Sequence, residues 1–184
     1  KHFVQPSDNS TSKTEDIRRL FKSGKNIAST HALFMRYDDD ILDTIRKQHY
    51  ILVLDEVVNV LELMNETTKD IYAMQSANFI SIDETTKKVN WIDQEYCGRY
   101  DEVRERIDTG CVTCETDRLV VWQMPFELFS AFDDVYVLTY MFNAQLQYYY
   151  YLMHQVDIKY IGVQQLDCGR YEFTDCPQDY SHIK

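Results

Sequence analysis

Two neighbouring carboxylates, Asp55 and Glu56, stand directly behind the apolar run Tyr50-Ile-Leu-Val-Leu. Adjacent acids can divide the work of phosphate-ester hydrolysis. One holds magnesium through the ion's water shell, and the next takes a proton from the attacking water. The same pair can simply favour the start of a helix, because acids stabilise helix N-termini. A second reactive set is Cys111-x-x-Cys114, which together with Cys168 and Cys176 has the thiolates for a zinc site. The second pair is spaced more widely than a usual zinc knuckle, so free thiols are the preferred reading. The acids Asp38, Asp39 and Asp40, with Asp55 and Glu56, could serve a metal-dependent nuclease. Consecutive acids ahead of a helical run more often make a solvated cap. His31 and His154 are lone histidines and read as ordinary hydrogen-bonded residues.

Site chemistry at Asp55 and Glu56 requires an element that aims both acids at one place. An unbroken apolar run predicts a strand buried on both faces, as in a parallel sheet covered by helices, and ligands of such sheets bind beyond the carboxyl ends of the strands. The surrounding pattern agrees. His2 to Gln5 reads as a strand, Glu15 to Phe21 as a helix stopped by Ser23-Gly24, and Asn26 to Ser29 as a strand. His31 to Tyr37 and Asp40 to Lys47 read as helices, followed by the strand Tyr50 to Leu54 and a helix from about Val57 to Met64. Alternation of strand and helix in this order predicts an α/β fold with a mostly parallel sheet between helices.

The middle breaks the rhythm. Asn78 to Asp83 and Lys88 to Asp93 alternate around Glu84-Thr85-Thr86 and predict a β-hairpin, while Gln94 to Asp117 is charged and carries no clear assignment. Residues 78 to 117 are therefore read as an insertion. Leu119 to Gln123 is read as a strand, Pro125 to Phe132 as a helix, Val135 to Thr139 as a buried strand, Asn143 to His154 as a helix and Ile158 to Val163 as a last strand. Tyr148 to Tyr151 is a run of four tyrosines. At 100° per residue they cannot all face one core, so some ring meets solvent, a missing domain or another copy of the chain.

Bulk properties bound the function. The 184 residues are 45% hydrophobic, enough for one domain with a real core, and no apolar run approaches the roughly 18 residues that cross a bilayer. A net charge of −11 argues against a dedicated DNA-binding module but leaves room for local contacts through backbone amides and hydroxyls. An odd number of cysteines, five, fits a reducing cytoplasm better than a disulfide framework. The opening residues Lys1 to Pro6 contain neither a signal peptide nor an initiator Met, so the chain is expected to be a piece of a longer protein.

The order of short signals resembles the first RecA-like domain of superfamily-two helicases. Pro6-Ser7, Thr30-His31-Ala32-Leu33, Asp55-Glu56 and Thr139 stand where that family has Pro-Thr or Pro-Ser, Thr-x-x-Leu, Asp-Glu, and Thr-Ala-Thr or Ser-Ala-Thr. The Thr-His-Ala-Leu segment is similar to that of RecG-type helicases. The resemblance runs from residue 1 to about 163, outside the insertion, and leaves 164 to 184 as a segment leading toward a missing second RecA-like domain. It implies a P-loop NTPase fold in which Asp55 holds magnesium through water and Glu56 activates water against the γ-phosphate of ATP (the Walker B position). Thr139 would couple nucleotide state to movement, and Pro6, Ser7, Thr30 and His31 would lie along a DNA strand. Thr30 also reads as a plain helix N-cap.

The chain departs from that pattern in three places. Tyr140-Met141 replaces the Ala-Thr after Thr139, and Val57-Val58 replaces the Ala and Asp or His that follow the acids. Nothing fits the phosphate loop Gly-x-x-x-x-Gly-Lys-Ser/Thr, and Ser23-Gly24-Lys25-Asn26 reads as a helix end. The expectation is a fragment, inactive alone, of a cytoplasmic ATP-dependent DNA helicase or translocase of phage or bacterial replication or recombination. A non-enzymatic α/β interaction module and a zinc-binding regulatory domain are the alternatives.

Overall fold

The computed structural model describes residues 2–7, 12–109, 111–115 and 119–175. Its N-terminal elements follow their capping signals. Strand β1 (Phe3–Val4) leads to helix α1 (Lys13–Lys22), whose N-cap Ser12 accepts the Glu15 amide at 3.2 Å. Glu15 and Asp16 occupy the first turn and Arg19 and Lys22 the last, as the helix dipole favours. Gly24, at φ +63°, lets the chain turn out of α1 into strand β2 (Asn26–Ile27). Helix α2 is a single turn (His31–Phe34), and α3 (Asp39–Gln48) is capped by Asp38 and ends at left-handed His49. Ile17, Ile41 and Ile45 are fully buried where α1 meets α3, each stabilising the fold by about 1.5–3 kcal/mol. The Phe21 ring meets Tyr37 and Tyr50 edge-on, at 5.5 and 4.9 Å between centroids.

Among the described residues, parallel pairing is present in two short pairs. β1 pairs with β2, and β3 (Ile51–Leu54) pairs in register with β9 (Asp134–Val137). The Tyr50 hydroxyl donates to the Lys25 carbonyl at 2.9 Å and so joins the start of β3 to the approach to β2. Mixed α/β architecture is thus as expected, built from short sheets.

Between β3 and β9 the chain forms antiparallel structure. β4 (Leu61–Leu63), β8 (Leu119–Gln123) and β7 (Val112–Glu115) make a three-stranded sheet in the order β4-β8-β7. The predicted hairpin is present as β5 (Ile80–Ile82) and β6 (Val89–Trp91), and a bridge from Lys88 to Thr113 ties it to β7. Helix α4 (Thr68–Ser76) precedes the hairpin and α5 (Asp101–Asp108) follows it. Val60, Ile71, Met74, Ile80, Val89, Trp91 and Val112 are buried among these elements.

One expectation fails here. The stretch from Val57 to Met64 is not a helix. It runs extended into β4, because Leu61 and Leu63 alternate with Glu62 and gain the partners Gln123, Trp122 and Val121 on β8. Leu119 to Gln123 is a strand, as expected, and forms the centre of this antiparallel sheet.

After β8, a short helix α6 (Glu127–Ser130) precedes β9. The helix expected over Asn143 to His154 is split into a 3-10 turn (Phe142–Ala144) and α7 (Leu146–Met153), with extended Gln145 between them. Chain packing divides residues 1–150 from residues 151–184. The described part of the second unit contains the antiparallel hairpin β10 (Gly162–Gln165) and β11 (Tyr171–Thr174), so the expected last strand over Ile158 to Val163 lies further along the chain. No helix among the described residues is long and apolar enough to cross a membrane.

Candidate active site at the carboxyl ends of the parallel strands

β3 ends at Leu54, and Asp55 and Glu56 follow on a bend with both side chains exposed. Leu54 pairs with Val137, and the Leu138 amide continues the ladder by donating to the Leu54 carbonyl at 2.8 Å. The chain therefore leaves β9 through Leu138 and half-buried Thr139 at the same end where it leaves β3 through Asp55 and Glu56. Parallel pairing in register forces this, since both carboxyl ends point one way.

One face of this strand pair differs from expectation. Leu54 is buried, but Ile51 and Val53 are 52% and 59% exposed, and Tyr136, paired with Val53, is 44% exposed. The run is apolar on both faces, yet only one is covered by described residues. An apolar run records which faces tolerate burial; the covering element has to come from elsewhere.

Beyond Glu56 the chain is held from the side. Val58 is 5% exposed and belongs to no ladder, and its amide donates to Gln147 Oε1 at 2.9 Å. Gln147 is 1% exposed and lies in the first turn of α7. One helical turn on, the Tyr150 hydroxyl donates to the Met124 carbonyl at 2.9 Å, and the Met124 amide donates to the Val60 carbonyl at 2.9 Å. Of the tyrosine run, Tyr150 and Tyr151 are buried and Tyr149 is 58% exposed, as the helical geometry requires.

The second parallel pair gathers the other named residues. Pro6-Ser7 follow β1 and Thr30-His31 follow β2, again at shared carboxyl ends, with the Ala28 amide donating to the Val4 carbonyl at 3.0 Å. The Ser7 amide donates to Asp16 Oδ2 at 3.0 Å. That bond, and then the Arg19 guanidinium, hold the Asp16 carboxyl below the usual range. Thr30 caps α2, its hydroxyl oxygen accepting the Leu33 amide at 3.3 Å, and His31 is exposed. Tyr37 lies nearby with its hydroxyl 3.4 Å from Ser29 Oγ, and burial pushes its phenol up to about 12.

The remaining polar sets resolve differently. Asp38 accepts the Ile41 amide at 3.1 Å and pairs with Arg18, so it acts as a helix cap. Cys111 is half-buried and its thiol donates to the Thr109 carbonyl at 3.3 Å; burial raises it above the ordinary thiol value. Cys111 and Cys114 are three positions apart along extended chain, where side chains point to opposite faces, and Cys176 lies outside the described residues. Among the described residues, no three His, Cys, Asp or Glu side chains are grouped to hold a metal ion. Magnesium does not demand such a cage: one or two carboxylates plus water and substrate phosphates suffice, and exposed Asp55 and Glu56 match that donor set.

Sequence reasoning missed one cleft and two helices, α4 and α5. The cleft, about 290 Å³, is lined by Asn65, Glu66, Asp70, Arg99, Glu102 and Arg106. Arg106 pairs with Glu62 at 3.2 Å, and Thr67 hydrogen bonds hold the Asp70 carboxyl low, helped by Arg99. Its signal was present in Thr67-x-x-Asp70, a capping box that starts α4.

The chain is 26% identical over 158 residues to the SPbeta prophage-derived uncharacterized protein YonV of Bacillus subtilis (strain 168). The similarity covers 82% of this chain and spans 38% of that protein's length. No protein-family model matches the chain, and no solved structure does.

Proposed function

We propose that these residues form part of the first RecA-like domain of an ATP-dependent helicase or translocase, acting on DNA in a phage or prophage setting. One observation carries the reading: Asp55 and Glu56 emerge together at the carboxyl end of β3, beside the Leu138-Thr139 end of its parallel partner β9. That is where ligands of parallel sheets bind. The bare apolar face of β3 and β9 supports it, since a larger parallel sheet would cover such a face with crossover helices. Similarity to a prophage-derived protein more than twice as long supports both the phage setting and the need for more chain.

In this reading Asp55 would hold magnesium through its water, and the bound ion would supply charge neutralisation at the phosphates. Glu56 orients the attacking water and accepts its proton. Both carboxylates are exposed, so solvent, ion and substrate can reach them. Thr139 stands where it can sense the change at the γ-phosphate. Ser7, Thr30 and His31 lie along a DNA strand and set position without reading sequence. Ser7 contributes through its hydroxyl, because its amide is committed to Asp16.

The test is Glu56→Gln in the full-length protein that carries these residues. Hydrolysis of ATP should fall by about 100-fold or more while nucleotide binding persists, the signature of losing a group that acts in the transition state. Unchanged turnover would remove Glu56 from the chemistry and the motor reading with it.

A further inference from the structure

Asp55 and Glu56 sit in a short loop whose two ends are pinned by one and the same neighbouring segment. Upstream, the Leu54 carbonyl accepts from the Leu138 amide at 2.8 Å; downstream, the Val58 amide donates to Gln147 Oε1 at 2.9 Å. Leu138 follows β9 directly and Gln147 lies in the first turn of α7, so the two flank Thr139 along the chain. Gln147 and Asp16 are the two buried polar side chains among the described residues, and Gln147 is the more deeply buried. Burying an amide side chain is costly unless it is hydrogen-bonded. Here it satisfies a buried backbone donor that no strand ladder serves.

We infer that Gln147 is a positioning residue for the Asp55-Glu56 loop and the physical link between that loop and the segment after Thr139. The inference rests on the function proposed above. Val57-Val58 offer no polar side chain of their own at the β3 end. A side chain from α7 reaching the Val58 backbone makes the connection, independent of which side chain position 58 carries. Tyr150, on the same face of α7, secures the far end of the loop through Met124 and Val60. A shift of α7 or of the Thr139 segment is thereby transmitted to Glu56 through backbone.

The test uses Gln147→Met, which keeps length and loses the acceptor, and Gln147→Glu, which keeps an acceptor oxygen. In hydrogen exchange, amides of residues 55–58 should exchange about tenfold faster or more in Gln147→Met, as expected for one lost buried bond. Exchange in the β5–β6 hairpin should not change, and Gln147→Glu should restore much of the protection. In the full-length protein, Gln147→Met should lower kcat for ATP by roughly 10- to 100-fold with KM nearly unchanged, the pattern of a displaced catalytic group. Unaltered exchange at 55–58 would overturn the clamp. Faster exchange with wild-type kcat would overturn the positioning role and leave a purely structural bond. A wild-type protein without Glu56-dependent hydrolysis would instead sink the motor reading, and with it the role assigned to Gln147.

Discussion

Four identical side chains in a row give an internal control on the packing of α7. Tyr150 is 1% exposed, its hydroxyl donates to the Met124 carbonyl at 2.9 Å, and its ring lies 6.2 and 5.9 Å from Phe126 and Phe129. Tyr149, one residue earlier, is 58% exposed. Tyr150→Phe keeps the ring contacts and removes only the oxygen, leaving a buried carbonyl without this donor. The expected loss is about 1–2 kcal/mol. With a urea dependence of about 2 kcal/mol per molar for a domain of this size, the midpoint should fall by about 0.5–1 M. Tyr149→Phe should stay within about 0.5 kcal/mol of the parent, because it alters an exposed position. Tyr150→Ala adds a cavity and should cost about 3–5 kcal/mol, a large share of the stability of most domains. Urea unfolding followed by circular dichroism reads all three. Equal midpoints for Tyr150→Phe and Tyr149→Phe would refute the placement of α7.

Two further outcomes follow from the electrostatics. Asp16 has its carboxyl pulled down by the Ser7 amide and Arg19, so its contribution is complete above the unfolded-state value near 4 and is lost as pH falls through the lower folded value. Asp16→Asn should therefore lower the urea midpoint at pH 6 and converge with the parent as the medium approaches pH 2; a constant offset across that range would contradict the assignment. Alkylation with iodoacetamide at pH 8 should reach exposed Cys97 and Cys168 before Cys111, whose thiol is half-buried, raised by burial and bonded to Thr109. Mass spectrometry of the peptides gives the order, and early modification of Cys111 would speak against its burial.

The legible part of the fold was the part written in local signals. Ser23-Gly24 announced the end of α1 and the acids from Asp38 the start of α3, and the apolar run placed Asp55 and Glu56 at a strand end. The middle of the chain was harder because β4 pairs with β8 across two helices and three strands, and the Val57 to Met64 pattern suits helix or strand until Trp122 and Val121 arrive as partners. Asp in place of Glu at the third position weakened the capping signal at Thr67. Gln147 carried no signal at all. A lone glutamine beside four tyrosines belongs to no motif, and its worth depends on a backbone amide 89 positions away.

The uncovered side of β3 and β9 also bears on how the isolated polypeptide behaves in solution. Ile51, Val53, Tyr136 and Leu138 offer a sticky patch on a sheet that has two strands among the described residues, so each strand forms a margin of it. Such a margin is a template for a foreign strand. Held at high concentration, the polypeptide should bind hydrophobic dyes and self-associate through this patch, and charged replacements at Val53 should suppress both.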